Sequence, residues 1–255
     1  MAIKTTYLQI PQDVLHLIDG ISHHGIENYP HSEVYIGRNR IFYVIANEEL
    51  KINVKEYHKP KFPNNIISGH LRRTKARKAL ENALCLQAAH IATPQPYGFA
   101  ELRNTFGLLQ LSYFYSQHVE GYTEARQWGL PGDEQRFTND LATEIRRCIN
   151  SGILFRDFTP GNVLWRYDDE ALHYHFCHVD INRMTIKNAI TKRNVAKMIR
   201  AINMDTQVTS DLAKAVFREL YSGDDGDFVA LTLNYQEALC RKKDKLRKMK
   251  RFLHI

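Results

Sequence analysis

Residues 155–165 read FRDFTPGNVLW, an Arg-Asp pair and an Asn set between the apolar runs GILF and VLW. Pro160 and Gly161 break any helix or strand between them. Beyond this point VLWRY, DDEA and LHYHFCHVD read as strand, acidic turn and strand, hence a β-hairpin. Residues opposed across an antiparallel pair lie equally far from the turn. Asn162 and Asp180 have their midpoint at 171, at the end of DDEA. The hairpin therefore brings them together at its open end, to within about one residue of register. Asp157, on the loop leading in, lies at the same end. Two carboxylates and an amide converge, and oxygen donors of that kind suit Mg²⁺.

Residues 33–55, EVYIGRNRIFYVIANEELKINVK, alternate and are rich in Ile, Val, Tyr and Phe. With turn signals at Gly37-Arg38-Asn39 and Ala46-Asn47-Glu48 they predict a three-stranded antiparallel meander. A Pro/Asn/Gly-rich loop follows over 58–70. Then LRRTKARKALENALCLQAA sets Ala76, Leu80, Ala83, Leu84 and Ala88 on one helical stripe ending before Pro94. PYGFAEL and FGLLQLSYFY read as a second strand pair, so the first half is strands interrupted by one clear helix. From residue 123 the pattern is mostly helical. Phe137, Leu141, Ile145, Cys148 and Ile149 mark a buried face that stops at Gly152, and further helices fit 192–202, 211–221 and 227 to about 250. The expected fold class is α+β. A mainly antiparallel β lobe over 1–118 joins a mainly α lobe over 119–255, with the crossing near Ser116 to Gly121.

At 255 residues, with 44% hydrophobic and 25% charged content, the chain is an ordinary globular one rather than a disordered one. It shows no secretory pattern and no run of about 18 apolar residues, and Cys85, Cys148, Cys177 and Cys240 are scattered without a CxxC. These features fit reduced thiols in a cytoplasmic protein. A net charge of +7 points to an anionic partner.

An Asp, an Asn five residues on, and a later strand-borne Asp reproduce the spacing of the protein-kinase catalytic loop and metal-binding Asp. In that arrangement Asp157 accepts the proton of the attacking hydroxyl, and Asn162 and Asp180 hold Mg²⁺ on the nucleotide phosphates. Alone the motif is weak, since Asp157 and Asn162 also suit a turn that satisfies its own backbone. Its companions add weight. Lys55, in NVKEY, stands where VAIK-type strands carry the phosphate-pairing lysine, and Glu81, in ALENAL, is the acid of the next helix. Gly37 is the lone glycine of the expected phosphate loop.

On GRNRI, KINVKEY, KARKALENAL, GILFRDFTPGNVLW and VDINRM, spread over about residues 33–190, the chain resembles the lipopolysaccharide-core kinases. These form the Kdo/heptose kinase group of Bacteroidetes type within the protein-kinase-like superfamily. The resemblance implies a bilobal kinase-like fold, ATP with Mg²⁺, and phosphorylation of a hydroxyl on a sugar or glycolipid. It further implies an ion pair of Lys55 with Glu81, Asp157 as base, and Asn162 and Asp180 as metal ligands. There are departures. Phe155 stands where this fold commonly has a His whose hydrogen bond braces the catalytic loop, and Asp180-Ile181-Asn182 replaces Asp-Phe-Gly. With the single Gly37, these leave a pseudokinase as an alternative.

Thr159 occupies the place where protein kinases carry a phosphoryl-contacting Lys, and no A-P-E follows Asp180. A small-molecule or glycolipid acceptor is therefore favoured over a protein. His173, His175 and Cys177 share a strand face, which reads as an ordinary hairpin face rather than zinc, for want of a matching ligand cluster. The basic run LRRTKARK reads as a solvated helix face, with contact to an anionic substrate as the sharper alternative. The C-terminal CRKKDKLRKMKRFL carries eight basic residues against Asp244 and suggests peripheral contact with an anionic membrane, at the cytoplasmic face of the inner membrane. A nucleic-acid-binding module is the competing class. It lacks aromatics interleaved with the basic residues, so no nucleic acid is expected.

Overall fold

The computed structural model describes residues 2–37, 39–47, 50–58 and 73–252. Arg38, Glu48, nearly all of the expected 58–70 loop, Leu71 and Arg72 lie outside them. The chain divides into two compact units, Met1–Glu120 and Gly121–Ile255.

The first unit is built on strands β1 (Ala2–Tyr7), β2 (His31–Ile36), β3 (Asn39–Asn47), β4 (Leu50–His58), β5 (Pro96–Arg103) and β6 (Leu109–Gln117). All pairs are antiparallel, in the order β1-β5-β6-β4-β3-β2. The expected meander is β2–β3–β4 and the second pair is β5–β6. Beyond them stands a helix the sequence reading left out, α1 (Gln12–His24). Its Val14, Ile18 and Ile21 pack with Phe42, Val44, Ile52, Val54, Tyr113 and Tyr115 into one buried cluster. Each such side chain, fully buried, contributes about 1.5–3 kcal/mol. Because strand side chains alternate, Lys55 projects to the sheet face opposite this cluster, beside Ile41 and Phe114 on the neighbouring strands.

Helix α2 (Lys75–Ala88) lies against β4, β5 and β6. Thr74 caps it by accepting from the Arg77 backbone N–H at 3.2 Å, and its hydroxyl donates to the buried carboxylate of Glu101 at 2.8 Å. The buried stripe is Ala76, Ala79, Leu80, Ala83 and Leu86. Leu84 and Ala88, expected on it, are exposed, because the packed face advances by three residues from Ala83 instead of continuing by four.

In the second unit α3 (Glu134–Asn150) buries Phe137, Leu141, Ile145 and Cys148 as expected, and Ile149 only partly. The hairpin forms from β9 (Val163–Asp168) and β10 (His173–His178), with the two-residue β7 (Thr123–Glu124) alongside β9. Aromatic rings clamp it to α3. Phe137 has Trp128, Tyr174, Phe176 and Trp165 around it at centroid distances of 4.7, 5.0, 5.3 and 5.7 Å. Phe137→Ala should accordingly cost about 3–5 kcal/mol in urea or thermal unfolding. A loss below about 1 kcal/mol, the scale of an ordinary surface change, would show that this cluster does not seat the hairpin.

A short antiparallel pair, β8 (Ile153–Phe155) with β11 (Met184–Ile186), closes the chain around that hairpin. Helices α4 (Lys192–Ile199), α5 (Thr206–Leu220) and α6 (Gly226–Phe252) complete the unit. The expected 192–202 helix turns 3₁₀ after Ile199. The 211–221 helix begins earlier, where Asp205 accepts from the Val208 N–H at 2.9 Å.

Candidate active site

The pairing of His178 with Val163 carries Asn162 opposite Val179, one residue from Asp180, as the turn arithmetic requires. The Val179 N–H closes the end of the hairpin by donating to Asn162 O at 3.0 Å. Asp157, Asn162, Asp180 and Arg183 line one small cavity with Phe155, Phe158 and His178. The three residues brought together by counting along the sequence line the same cavity.

The loop is tied to itself. Asp157 O accepts from the Thr159 N–H at 2.8 Å and from Asn162 Nδ2 at 2.9 Å. With Nδ2 committed to the loop, Oδ1 is the atom Asn162 can offer to a cation. Asp180 has φ 52° and ψ 44°, a left-handed conformation that Asp adopts more readily than most residues, and Asn182 Nδ2 donates to its Oδ1. A carboxylate and an amide oxygen at one end of a hairpin form a hard donor set that fits Mg²⁺.

Arg183 was not singled out from the sequence. Its Nη1 donates to Asp157 Oδ2 at 3.2 Å. The available signal was a basic residue three positions after Asp180, in a stretch where a half-exposed Asp157 needs a counter-charge. Arg156, by contrast, is exposed.

Glu144 and His178 were missed as well. Glu144 sits on the packed face of α3, one turn from Leu141 and Cys148, with a side chain 6% exposed. Its Oε1 lies 3.2 Å from His178 Nε2, and Arg147 Nη1 donates to its Oε2 at 3.1 Å. Burial pushes this carboxyl up, but the hydrogen bond and charge of His178, with Arg147, outweigh it and hold the carboxyl below its ordinary range. The donor atoms of Glu144, Cys148 and His178 lie within 4.8 Å of one another. Two of the three are already bonded to each other. In the expected hairpin-face group, His175 Nε2 lies 3.3 Å from Asp168 Oδ2 and Cys177 is buried.

In the first unit Lys55 is 8% exposed, and its Nζ stands 5.6 Å from the Tyr57 ring centroid. Lys75 Nζ, from the start of α2, is 5.4 Å from the same ring and 3.4 Å from Asn39 Oδ1. Two ammonium groups thus gather at one ring, within the range where the ring face attracts cations. Glu81 is engaged elsewhere. Arg77 Nε and Arg73 Nη1 donate to its two oxygens, each at 2.9 Å. Arg73 and Arg77 of the basic run therefore hold Glu81 instead of standing purely in solvent. Gly37 follows β2, and its missing side chain leaves room for the Tyr35 ring.

The structure of WaaP in complex with acyl carrier protein aligns with a TM-score of 0.61 over 96% of this chain and 99% of that one, at 14% identity. An aminoglycoside-3'-phosphotransferase of type VIII aligns at 0.56 over 87% of this chain and 99% of that one, at 11% identity. No family model and no curated protein matches the sequence. At these identities the likeness is one of fold. The chain has the α+β fold of the protein-kinase-like phosphotransferases.

Proposed function

We propose that this chain is a kinase that transfers the γ-phosphoryl group of ATP to a hydroxyl of a sugar or glycolipid, of the lipopolysaccharide-core class. The observation that carries this reading is the convergence of Asp157, Asn162 and Asp180 on one cavity at the open end of the hairpin. A full-length likeness in fold to an aminoglycoside phosphotransferase and to WaaP supports it. So does Thr159, which leaves the loop without the lysine of protein kinases.

Asp180 and Asn162 Oδ1 would hold Mg²⁺, which neutralises phosphate charge when bound. Asp157 orients the acceptor hydroxyl and takes its proton as the oxygen–phosphorus bond forms and the bond to ADP breaks. Arg183, beside Asp157, supplies the cation that Thr159 does not. Lys55 and Lys75 are assigned to the nucleotide phosphates, the turn at Gly37 to their cover. The ion pair of Lys55 with Glu81, which accepts from Arg73 and Arg77 here, is proposed for the nucleotide-bound state. A thermal-shift titration with ATP, with and without Mg²⁺, followed by turnover assays on core saccharides tests the reading. No shift with ATP and Mg²⁺ would overturn it.

The acceptor class gives the C-terminal tail a purpose. From Arg241 to Met249 nearly every side chain of α6 is exposed, and Leu246 and Met249 remain 49% and 57% exposed. Among the described residues none covers them. A basic face with a thin apolar edge suits an anionic membrane, where each basic residue contributes about 1 kcal/mol. Binding should be peripheral and weakened by salt. In liposome co-sedimentation the full chain is expected to pellet with anionic vesicles at low salt, and a chain ending at Leu239 to stay behind. If both partition alike, or the full chain stays in the supernatant, docking through this tail is wrong.

A further inference from the structure

The catalytic loop has no histidine at position 155, yet a histidine stands beside it. His178, the last residue of β10, is 1% exposed, and its ring is stacked on Phe155 with centroids 4.6 Å apart and planes at 25°. The Phe158 ring lies 5.9 Å away. These two phenylalanines bracket Asp157 in the chain. His178 also precedes Asp180 by two residues, and the intervening Val179 makes the backbone bond to Asn162. One residue therefore stacks on the rings on either side of Asp157 and adjoins the backbone that carries Asp180 and meets Asn162.

What orients that ring is Glu144. Burying a carboxylate is unfavourable unless it is paired and hydrogen-bonded. Replacing both partners of such a buried pair by apolar residues is often neutral or stabilising, so stability alone does not call for one. The glutamate is nevertheless there, bonded to Nε2 and held from behind by Arg147. The bond to Nε2 fixes the rotation of the imidazole, and with it the plane on which Phe155 and Phe158 rest.

We infer that His178, oriented by Glu144, is the positioning residue that holds the catalytic loop and Asp180 in place, taking over the bracing role that position 155 does not fill. Its effect on turnover rests on the kinase reading; the bracing itself does not. The test is hydrogen–deuterium exchange on the full chain, paired with Mg²⁺-dependent ATP turnover. His178→Phe keeps a stacking ring and removes the nitrogen, while Glu144→Gln keeps an acceptor for Nε2–H. His178→Phe should speed exchange of the 155–163 and 179–184 amides about tenfold, the scale of one lost hydrogen bond, with the α5 amides unchanged. It should lower kcat and, through Asp180, weaken the Mg²⁺-dependent part of ATP binding, and Glu144→Gln should stay near the wild type. Unchanged loop exchange and turnover in His178→Phe would overturn the inference, as would loosening spread equally over α3 and α5. If His178→Phe fails to fold, the double variant His178→Phe with Glu144→Leu leaves no buried charge and gives the same readout. A wild-type chain without ATP turnover would sink the kinase reading alone, and loop exchange would still decide the bracing role.

Discussion

Asp180→Ala is expected to abolish the Mg²⁺-dependent part of ATP binding, and turnover with it, in a chain that still folds. The substitution removes a carboxylate that lines the cavity at the hairpin's open end, beside Asn162. Alanine at φ 52° adds backbone strain of roughly 1–2 kcal/mol, small beside the 5–15 kcal/mol that typically holds a domain together. Asp180→Asn separates the two effects, because Asn accepts this conformation and loses only the charge. Nucleotide titrations with and without Mg²⁺ read the result. Binding that ignores both Mg²⁺ and the substitution would remove the metal site from the proposal.

For Asp157→Asn the expectation differs in kind. The amide keeps the size of the side chain and can still accept from Arg183, so loop geometry and nucleotide binding should survive. A positioned proton acceptor is lost, which ordinarily costs about 10² to 10⁴ in rate. Single-turnover kinetics beside ATP titrations check the split. Equal loss of binding and turnover would mean that Asp157 shapes the loop and does not act on the acceptor.

The parts of this molecule that could be read from its sequence are those whose spacing is enforced by geometry. A hairpin turn fixes which residues face each other, so the sequence alone places Asn162 and Asp180 to within one position. The meander and α3 were also plain, the first from strand-forming residues between turn signals and the second from a 3.6-residue period. α1 was missed although Val14, Ile18 and Ile21 repeat correctly. Its start at Pro11 has no side-chain cap, and Gly20 interrupts the helical pattern where Tyr29 packs. The partners of charged groups were the least legible. Glu81 chose Arg73 and Arg77, and Asp157 chose Arg183 across 26 positions, since long side chains reach in directions that no periodicity records.

The hairpin also decides where this chain can change length. A residue gained at the tip, where Asp169 to Leu172 are exposed, leaves every opposed pair between β9 and β10 as it was. One gained inside β10 turns each later side chain to the other face of the strand. His178 would swing away from Phe155 and Glu144, and Asn162 would lose its neighbour. Insertions, affinity tags and grafted peptides therefore belong at the tip. A single added codon within the strand would scramble the site while leaving its composition untouched.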